Sequence, residues 1–247
     1  MSASSFTAGI ALVLGLIGLA VSLFGAATQV MPRRFTVQQQ TQITNWEFGR
    51  AWRNLSAGEI FPAAVSYAPP EVLDNGSPLA LAAHRIGLAR QANCRAATDA
   101  AAATVLDRNG CQTMLRATYA DGADSYVVTV GVAVLPSTAH AAAAATELNA
   151  AADVGGIAPG VDAVAFPDTA AAWFTDQRRQ LSMAVSVGTY VALYTVGYAD
   201  ARPREPVAGD SYAEGEMTSL GRGVALGVLG MVGAPVRVPR CPGSPGC

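Results

Sequence analysis

The sequence contains no lysine and only two histidines, His84 and His140. All 16 basic residues are arginine and 49 residues are alanine, a bias that indicates a GC-rich coding sequence rather than a function. The net charge is -2 and the isoelectric point is near 5.7, so the chain lacks the basic character of nucleic-acid-binding proteins. We expect no nucleic-acid partner.

Motifs for cofactors and catalysis are also missing. The four cysteines form no CxxC pair, and with so few histidines they predict no zinc site. Gly221-Arg-Gly223 is too short for a phosphate loop or a dinucleotide fingerprint. The nearest match to a nucleophile elbow, Ala184-Val-Ser186-Val-Gly188, has Ala in place of the first glycine and lies on a predicted strand. We therefore expect no cofactor, no metal and no catalytic residue, and the protein is not predicted to be an enzyme.

The four cysteines, Cys94, Cys111, Cys241 and Cys247, fit disulfides formed in an oxidising compartment. The first two bracket an alanine-rich helical segment, and the last two close a short Pro/Gly ring. The alternative is four buried free thiols. Three pairings are possible, and the sequence does not choose between them. The local pairing, Cys94 with Cys111 and Cys241 with Cys247, is our prediction.

The N-terminal segment predicts a transmembrane helix. Residues 2–32 carry no charge and residues 6–30 are almost wholly apolar, whereas a bilayer core requires about 20 such residues. A cleaved signal peptide is the alternative, with Gly25-Ala26-Ala27 as a weak cleavage site. The run is long and has no basic start, which favours an uncleaved signal-anchor over residues 1–30.

The orientation of this span depends on two opposing signals. Arg33 and Arg34 follow the span, and by the positive-inside rule they favour a cytoplasmic C-terminal side. The predicted disulfides favour the opposite side. Because two arginines are a small bias, we expect a single-pass protein of the cell membrane whose C-terminal domain is extracytoplasmic.

Small residues recur along one face of the predicted span at spacings of three and four. The stripe contains Ala11, Gly15, Gly18, Ser22 and Gly25. A period of 3.5 residues is typical of a left-handed helix seam, and small side chains allow two membrane helices to approach closely. The stripe predicts pairing with a second copy of this chain or with the span of a partner membrane protein.

The remaining residues, about 210, are enough for one domain with its own core. We assign residues 31–80 to a juxtamembrane connector and residues 81–247 to an α+β domain. Within the connector, residues 45–55 suggest a short amphipathic helix. Its aromatic side chains, Trp46, Phe48 and Trp52, would lie at the membrane interface or pack on the domain.

The domain has two halves with the same predicted order of elements. Strands over 112–120 and 126–135 form a hairpin, and a helix follows to about residue 152. Strands over 181–187 and 189–199 form a second hairpin around Gly188, followed by a helix over 214–231. We predict two ββα halves that share one antiparallel sheet, with helices packed on one face. Further predictions are strands over 84–89 and 161–166, and a helix over 95–108 that ends at Gly110.

Charged residues cluster at the ends of the predicted strands. Arg178 and Arg179 precede one strand, and Arg202 and Arg204 follow the next. If these strands form a hairpin, the four arginines lie at one end of the sheet and form a candidate basic patch for a carboxylate or a phosphate. Solvated loops are the alternative. Turn formation accounts for Asp121 and Asp124, and the helix dipole accounts for Glu214 and Glu216.

A family resemblance begins at Cys94. The segments that carry it are CRAATDAAAATVLDRNGCQTMLRATYAD, YVVTVGVAVLP, DQRRQLSMAVSVGTYVALYTVGYADARP, EMTSLG and PRCPGSPGC. They resemble single-pass membrane proteins of filamentous actinomycetes for which no activity is known. The resemblance implies one membrane-anchored domain without catalytic residues. We expect a non-enzymatic component of an envelope assembly for secretion or cell-wall construction. A sensor domain for a small envelope ligand is the alternative.

The small-residue stripe gives a testable prediction. Replacing both Gly15 and Gly18 with Ile should abolish association of the span in membranes, because the added side chains separate the helix backbones. A membrane-helix association reporter measures this effect. Replacing Leu16 and Leu19, which lie on other faces, with Ile should leave association unchanged. Undiminished association of the glycine variant would contradict the prediction.

Overall fold

The computed structural model describes residues 35–71, 79–151, 158–200, 202–204 and 212–233. The predicted transmembrane helix, with the stripe from Ala11 to Gly25, lies outside the described residues, as do Cys241 and Cys247. None of the helices described is both long and apolar enough to cross a membrane. The chain divides into two compact units, one of residues 1–44 and 237–247 and one of residues 45–236.

In the first unit, the described residues are 35–44, most of them helical. Their helix begins with reciprocal hydrogen bonds between Thr36 and Gln39. The Gln39 N–H donates to the Thr36 hydroxyl at 3.2 Å, and the Thr36 N–H donates to the Gln39 side-chain oxygen at 3.0 Å. This capping box satisfies backbone donors that the first turn leaves without helical partners.

The second unit contains a six-stranded antiparallel sheet with the strand order β1-β2-β3-β4-β6-β5. The strands are β1 (Ala64–Tyr67), β2 (Leu81–Leu88), β3 (Thr113–Ala120), β4 (Tyr126–Val134), β5 (Leu181–Val187) and β6 (Tyr190–Tyr198). The helices are α1 (Val37–Phe48), α2 (Ala51–Asn54), α3 (Ala57–Ile60), α4 (Ala100–Arg108), α5 (Thr138–Ala150) and α6 (Tyr212–Val232). Short 3-10 turns cover Cys94–Ala96 and Asp176–Arg178.

The two predicted hairpins are confirmed. The β3–β4 hairpin is followed by α5, and the β5–β6 hairpin, which turns at Gly188 with φ +57°, is followed by α6. The hairpins join through β4 and β6, which pair in antiparallel register from Tyr126 with Tyr198 to Val134 with Tyr190. The α+β class and the shared antiparallel sheet are therefore confirmed.

The predicted placement of all helices on one face is wrong. Helix α6 packs on one face of the sheet, against the side chains of Val128, Val130 and Tyr194. Helices α4 and α5 pack on the other face, against Met114 and Leu193. The physical reason is that β4 and β6 carry apolar side chains on both of their faces, so both faces must be covered from water.

Helix α6 approaches the sheet closely because glycines line its inner side. A Cβ atom on Gly221 would lie 2.3 Å from the Tyr194 ring, and one on Gly227 would lie 2.4 Å from Val65. Only glycine permits this contact distance. Val224, Val228 and Leu229 are consequently fully buried in the core.

Part of the predicted connector belongs to the folded unit. Helix α3 begins with a capping box between Ser56 and Glu59, and strand β1 pairs with β2 at the edge of the sheet. The aromatics of the predicted amphipathic helix divide between two environments. Phe48 and Trp52 pack on the α6-side core, whereas Trp46 is exposed.

A hydroxyl row crosses the sheet on the face opposite α6. It consists of Thr118, Thr129, Thr195 and Ser182, which are cross-strand neighbours on β3, β4, β6 and β5. The hydroxyl groups of Thr118 and Thr129 lie 2.9 Å apart, and those of Ser182 and Thr195 lie 3.0 Å apart. All four side chains are buried.

The hydroxyl row holds the chain segment 158–166 against the sheet. Thr118 donates to the Val164 carbonyl at 2.8 Å, the Val164 N–H donates to Thr129 at 3.0 Å, and Thr195 donates to the Val161 carbonyl at 2.8 Å. The predicted strand over 161–166 is therefore wrong. Its hydrogen bonds go to side chains of the sheet, to Asp176 and to the Ala97 carbonyl rather than to a neighbouring strand. Val161 makes only an isolated bridge with Thr98.

The predicted Cys94–Cys111 disulfide is confirmed and closes the ends of the α4 segment. A crosslink over a loop of about 17 residues stabilises a fold by about 3 kcal/mol in the chain-entropy account. The helix predicted over 95–108 is shorter than expected. It begins at Ala100 because the Asp99 side chain caps its first turn. It ends before Gly110, the predicted cap, whose φ of +73° is in the left-handed region.

The hydroxyl row yields a stability prediction. Thr129→Val should lower the free energy of unfolding by about 1–3 kcal/mol, because the part-buried Val164 N–H loses its acceptor and the buried Thr118 hydroxyl loses a partner. Denaturant unfolding measures the change. The matched control is Thr104→Val. The Thr104 hydroxyl is exposed and bonds within α4, so its loss should change the free energy of unfolding by about 0.5 kcal/mol or less. Equal effects of the two variants would contradict this account.

Candidate functional site

The four arginines of the predicted basic patch lie on chain segments that meet at one end of the sheet. The Gln180 N–H donates to the Val196 carbonyl, which aligns the start of β5 with the end of β6. Arg179, however, is buried, and both of its terminal nitrogens donate to Asp99 Oδ2 at 3.0 Å. Asp99 thus already serves as the carboxylate partner of Arg179.

The other arginines point to different partners. Arg178 donates to the Trp173 carbonyl at 3.0 Å. Arg202 forms an ion pair with Asp200, and its guanidinium lies 4.1 Å above the centre of the Tyr198 ring. Arg204 is exposed. The chain segments meet, and the partners shown for Arg178, Arg179 and Arg202 lie within this chain. The shared basic patch stays a prediction.

The same end of the sheet carries tyrosines and carboxylates on the α6 face. We call this group the acidic tyrosine cluster; it consists of Tyr67, Tyr126, Tyr198, Tyr212, Glu71, Asp121 and Glu216. The antiparallel strand order explains why these residues meet. The end of β1, the start of β4 and the end of β6 all lie at this end, and α6 begins there.

The tyrosine rings form the body of the cluster. Tyr126 and Tyr198 are register partners, and their ring centres lie 5.5 Å apart with a tilt of 39°. Tyr67 is buried, whereas Tyr212 is 60% exposed. Burial, followed by the charges of Asp121 and Glu216, raises the pKa of Tyr67 to about 12. Hydrogen bonding to Glu71 is the main reason that the pKa of Tyr212 is raised to about 12.

Glu216 is the most unusual member of the cluster. It is only 8% exposed, and its Oε1 atom is buried with no hydrogen-bond partner. Burial, and next the charge of Glu71, raises the pKa of this carboxyl, and a hydrogen bond from Tyr212 partly opposes the shift. A buried carboxylate oxygen without a partner is unfavourable, and a proton or a cation relieves it.

The predicted helix-dipole role does not account for the burial of Glu216. A signal was present, because Glu216, Leu220 and Val224 recur every four residues and share one helix face. Asp121 acts as predicted, since its Oδ1 accepts hydrogen bonds from the Ser125 and Tyr126 N–H groups. No local sequence pattern indicates that this turn borders a cluster of tyrosines.

The other candidate residues lie apart from this cluster. Ser186 is half-buried on the edge strand β5. His84 lies 3.4 Å from Asp124, and His140 bonds to the Ser137 hydroxyl at 2.7 Å. Neither of these partners is Ser186. Within the described ranges, no group of three or more His, Cys, Asp or Glu side chains is arranged to hold a metal ion.

The raised pKa of Tyr67 predicts sensitivity to alkali. Its folded pKa of about 12 exceeds the ordinary tyrosine value of 10.0, so between these pH values the folded state retains a proton that the unfolded state loses. The stabilising contribution is complete below pH 10 and is lost as the pH rises to about 12. Tyr67→Phe should therefore reduce the fall in unfolding free energy between pH 9 and about 12. An unchanged pH profile in chemical denaturation would contradict this.

Comparison with known proteins does not assign the chain to a family. No family model, no curated protein and no solved structure matches it. The resemblance to actinomycete membrane proteins therefore stays a prediction.

Proposed function

We propose that this protein is a non-enzymatic, membrane-anchored extracytoplasmic protein that binds a partner within an envelope assembly for secretion or cell-wall construction. The observation that supports this proposal is the acidic tyrosine cluster at one end of the sheet. Tyr212 is exposed, and Tyr126 and Tyr198 are partly exposed beside it. The cluster is the surface through which we expect the domain to bind.

Tyrosines are well suited to such a surface. They are enriched among the residues that contribute most to protein–protein binding, because a rigid ring offers a large contact area at a small entropic cost. Tyr126 and Tyr198 stand on strands of the central sheet and Tyr212 begins a long helix. Their backbones are thus already ordered before a partner binds, which reduces the entropic cost of association.

Two further observations support the cellular placement. The Cys94–Cys111 disulfide favours an oxidising compartment, because thiols remain reduced in most cytosols. The uncharged apolar segment over residues 6–30 is long enough for a single span, and its small-residue stripe offers a second contact with a partner or a second copy.

A second candidate function is a sensor or binding domain for a small envelope ligand. The unpartnered Oε1 of Glu216 favours this alternative, because a buried polar atom next to tyrosine rings resembles the interior of a ligand site. The two functions differ in whether the bound group belongs to a protein or to a free molecule.

Co-purification tests the first function. The full chain is purified in mild detergent after crosslinking in cells, and recovered proteins are quantified by mass spectrometry. Tyr212→Ala should lower recovery of the specific partner at least tenfold, because loss of a central tyrosine typically costs about 2 kcal/mol in binding.

The matched control for this experiment is Trp173→Ala. Trp173 is also an exposed aromatic residue, at 66%, but its loop packs on the opposite face of the sheet. Partner recovery should be unchanged in this variant. Equal recovery by wild type and Tyr212→Ala, or equal loss in both variants, would contradict the proposed binding surface.

A further inference from the structure

The stripe of α6 that packs on the sheet contains one carboxylate, Glu216. Its neighbours along this stripe, Met217, Leu220 and Val224, are buried and apolar. Glu216 Oε1 has no hydrogen-bond partner, and in the described part of the chain no arginine forms an ion pair with Glu216 or Glu71. Among the described residues, therefore, Glu216 has neither a hydrogen bond to Oε1 nor an ion-pair partner.

The groups around this carboxylate include tyrosines as well as Glu71 and Asp121. Tyr67 and Tyr126 lie close enough for the charge of Glu216 to raise their pKa values, although burial is the larger cause for both. The face of a tyrosine ring attracts cations, most strongly where water is excluded. Rings beside a carboxylate thus favour an organic cation, whereas Mg²⁺ and Ca²⁺ require six or more oxygen ligands.

The chain itself shows that a guanidinium fits at this end of the sheet. Arg202 lies over the outer ring, Tyr198, while its charge is balanced by Asp200. This arginine does not form an ion pair with Glu216. Tyr126, the register partner of Tyr198, offers the same kind of ring, and Glu216 offers a second carboxylate.

We propose that the acidic tyrosine cluster binds an organic cation, an alkylammonium or guanidinium group, with Glu216 Oε1 as its counter-ion and the Tyr126 ring beside it. This inference rests on the proposed function, in which the cation is a lysine or arginine side chain of the protein partner. A free amine of the envelope would carry the same chemistry.

Direct titration tests the inference with three probes: n-butylammonium, n-butylguanidinium and a trilysine peptide, with n-butanol as the neutral probe. Calorimetry or protein-observed fluorescence is performed on the full chain in detergent at physiological salt. The three cations should bind and n-butanol should not. Glu216→Gln should weaken cation binding at least tenfold, because the amide retains the shape of the side chain without its charge.

Glu214→Gln is the matched control. It removes the same charge one half-turn away on the same helix, and it should change affinity less than threefold. Failure of all three cations to bind the wild-type chain would overturn the inference. Equal weakening by both glutamate variants would also overturn it, since binding would then reflect the general negative charge of this end of the sheet.

Thermal melting separates a binding role from a structural one. If Glu216 is retained for a ligand, Glu216→Gln should melt at the same temperature as the wild type or higher, because a buried charge without a partner is removed. A lower melting temperature, together with unchanged cation affinity, would show that Glu216 serves the fold and would overturn the inference.

The co-purification experiment with Glu216→Gln identifies the source of the cation. Loss of the partner supports a basic side chain of that protein. Retention of the partner together with loss of n-butylammonium binding supports a free amine as the natural ligand. A third result is that the Tyr212→Ala variant still recovers the partner while cations still bind in a Glu216-dependent way. This result would contradict the proposed protein-binding function and support the cation site as the site of a small ligand.

Discussion

The pairing of β4 with β6 is the contact on which the rest of the structure depends. Both strands are buried along their length except at Tyr126 and Tyr198, and they carry apolar side chains on both faces. Such a pair is stable in water only when each face is covered. Helix α6 covers one face, and α4, α5 and the segment 158–166 cover the other. The two helices that follow the two hairpins therefore take opposite sides.

The polar residues of the sheet follow from the same constraint. A threonine inside a fully covered sheet must find a partner, because an unpaired buried hydroxyl is unfavourable. Thr129 and Thr195 meet this requirement by bonding to neighbouring hydroxyls and to the backbone of segment 158–166. That segment in turn forms backbone hydrogen bonds through Val161, Asp162 and Val164 without joining the sheet as a strand. Arg179 and Asp99 add an ion pair that fixes the adjoining chain on the same face.

The acidic tyrosine cluster lies where this covered structure ends. The register of β4 and β6 brings Tyr126 beside Tyr198, and the start of α6 adds Tyr212 and Glu216. The helical period that directs Leu220 and Val224 into the core also directs Glu216 inward. Glu216 is consequently buried with its Oε1 atom unpartnered, and Tyr212, four residues earlier, is exposed. The proposed binding site is based on these two observations.

The sequence by itself determined the elements that depend on near neighbours. Apolar segments separated by turn residues predicted both hairpins, and the helix before Gly110 and helix α6 were also predicted. The local pairing of Cys94 with Cys111 was one of three possible pairings. Only the tertiary structure decided which face each helix covers, why residues 161–166 are not a strand, and what surrounds Glu216. These features depend on contacts between distant parts of the chain. Arg179 and Asp99, for example, are 80 residues apart in sequence, and no local pattern specifies their meeting.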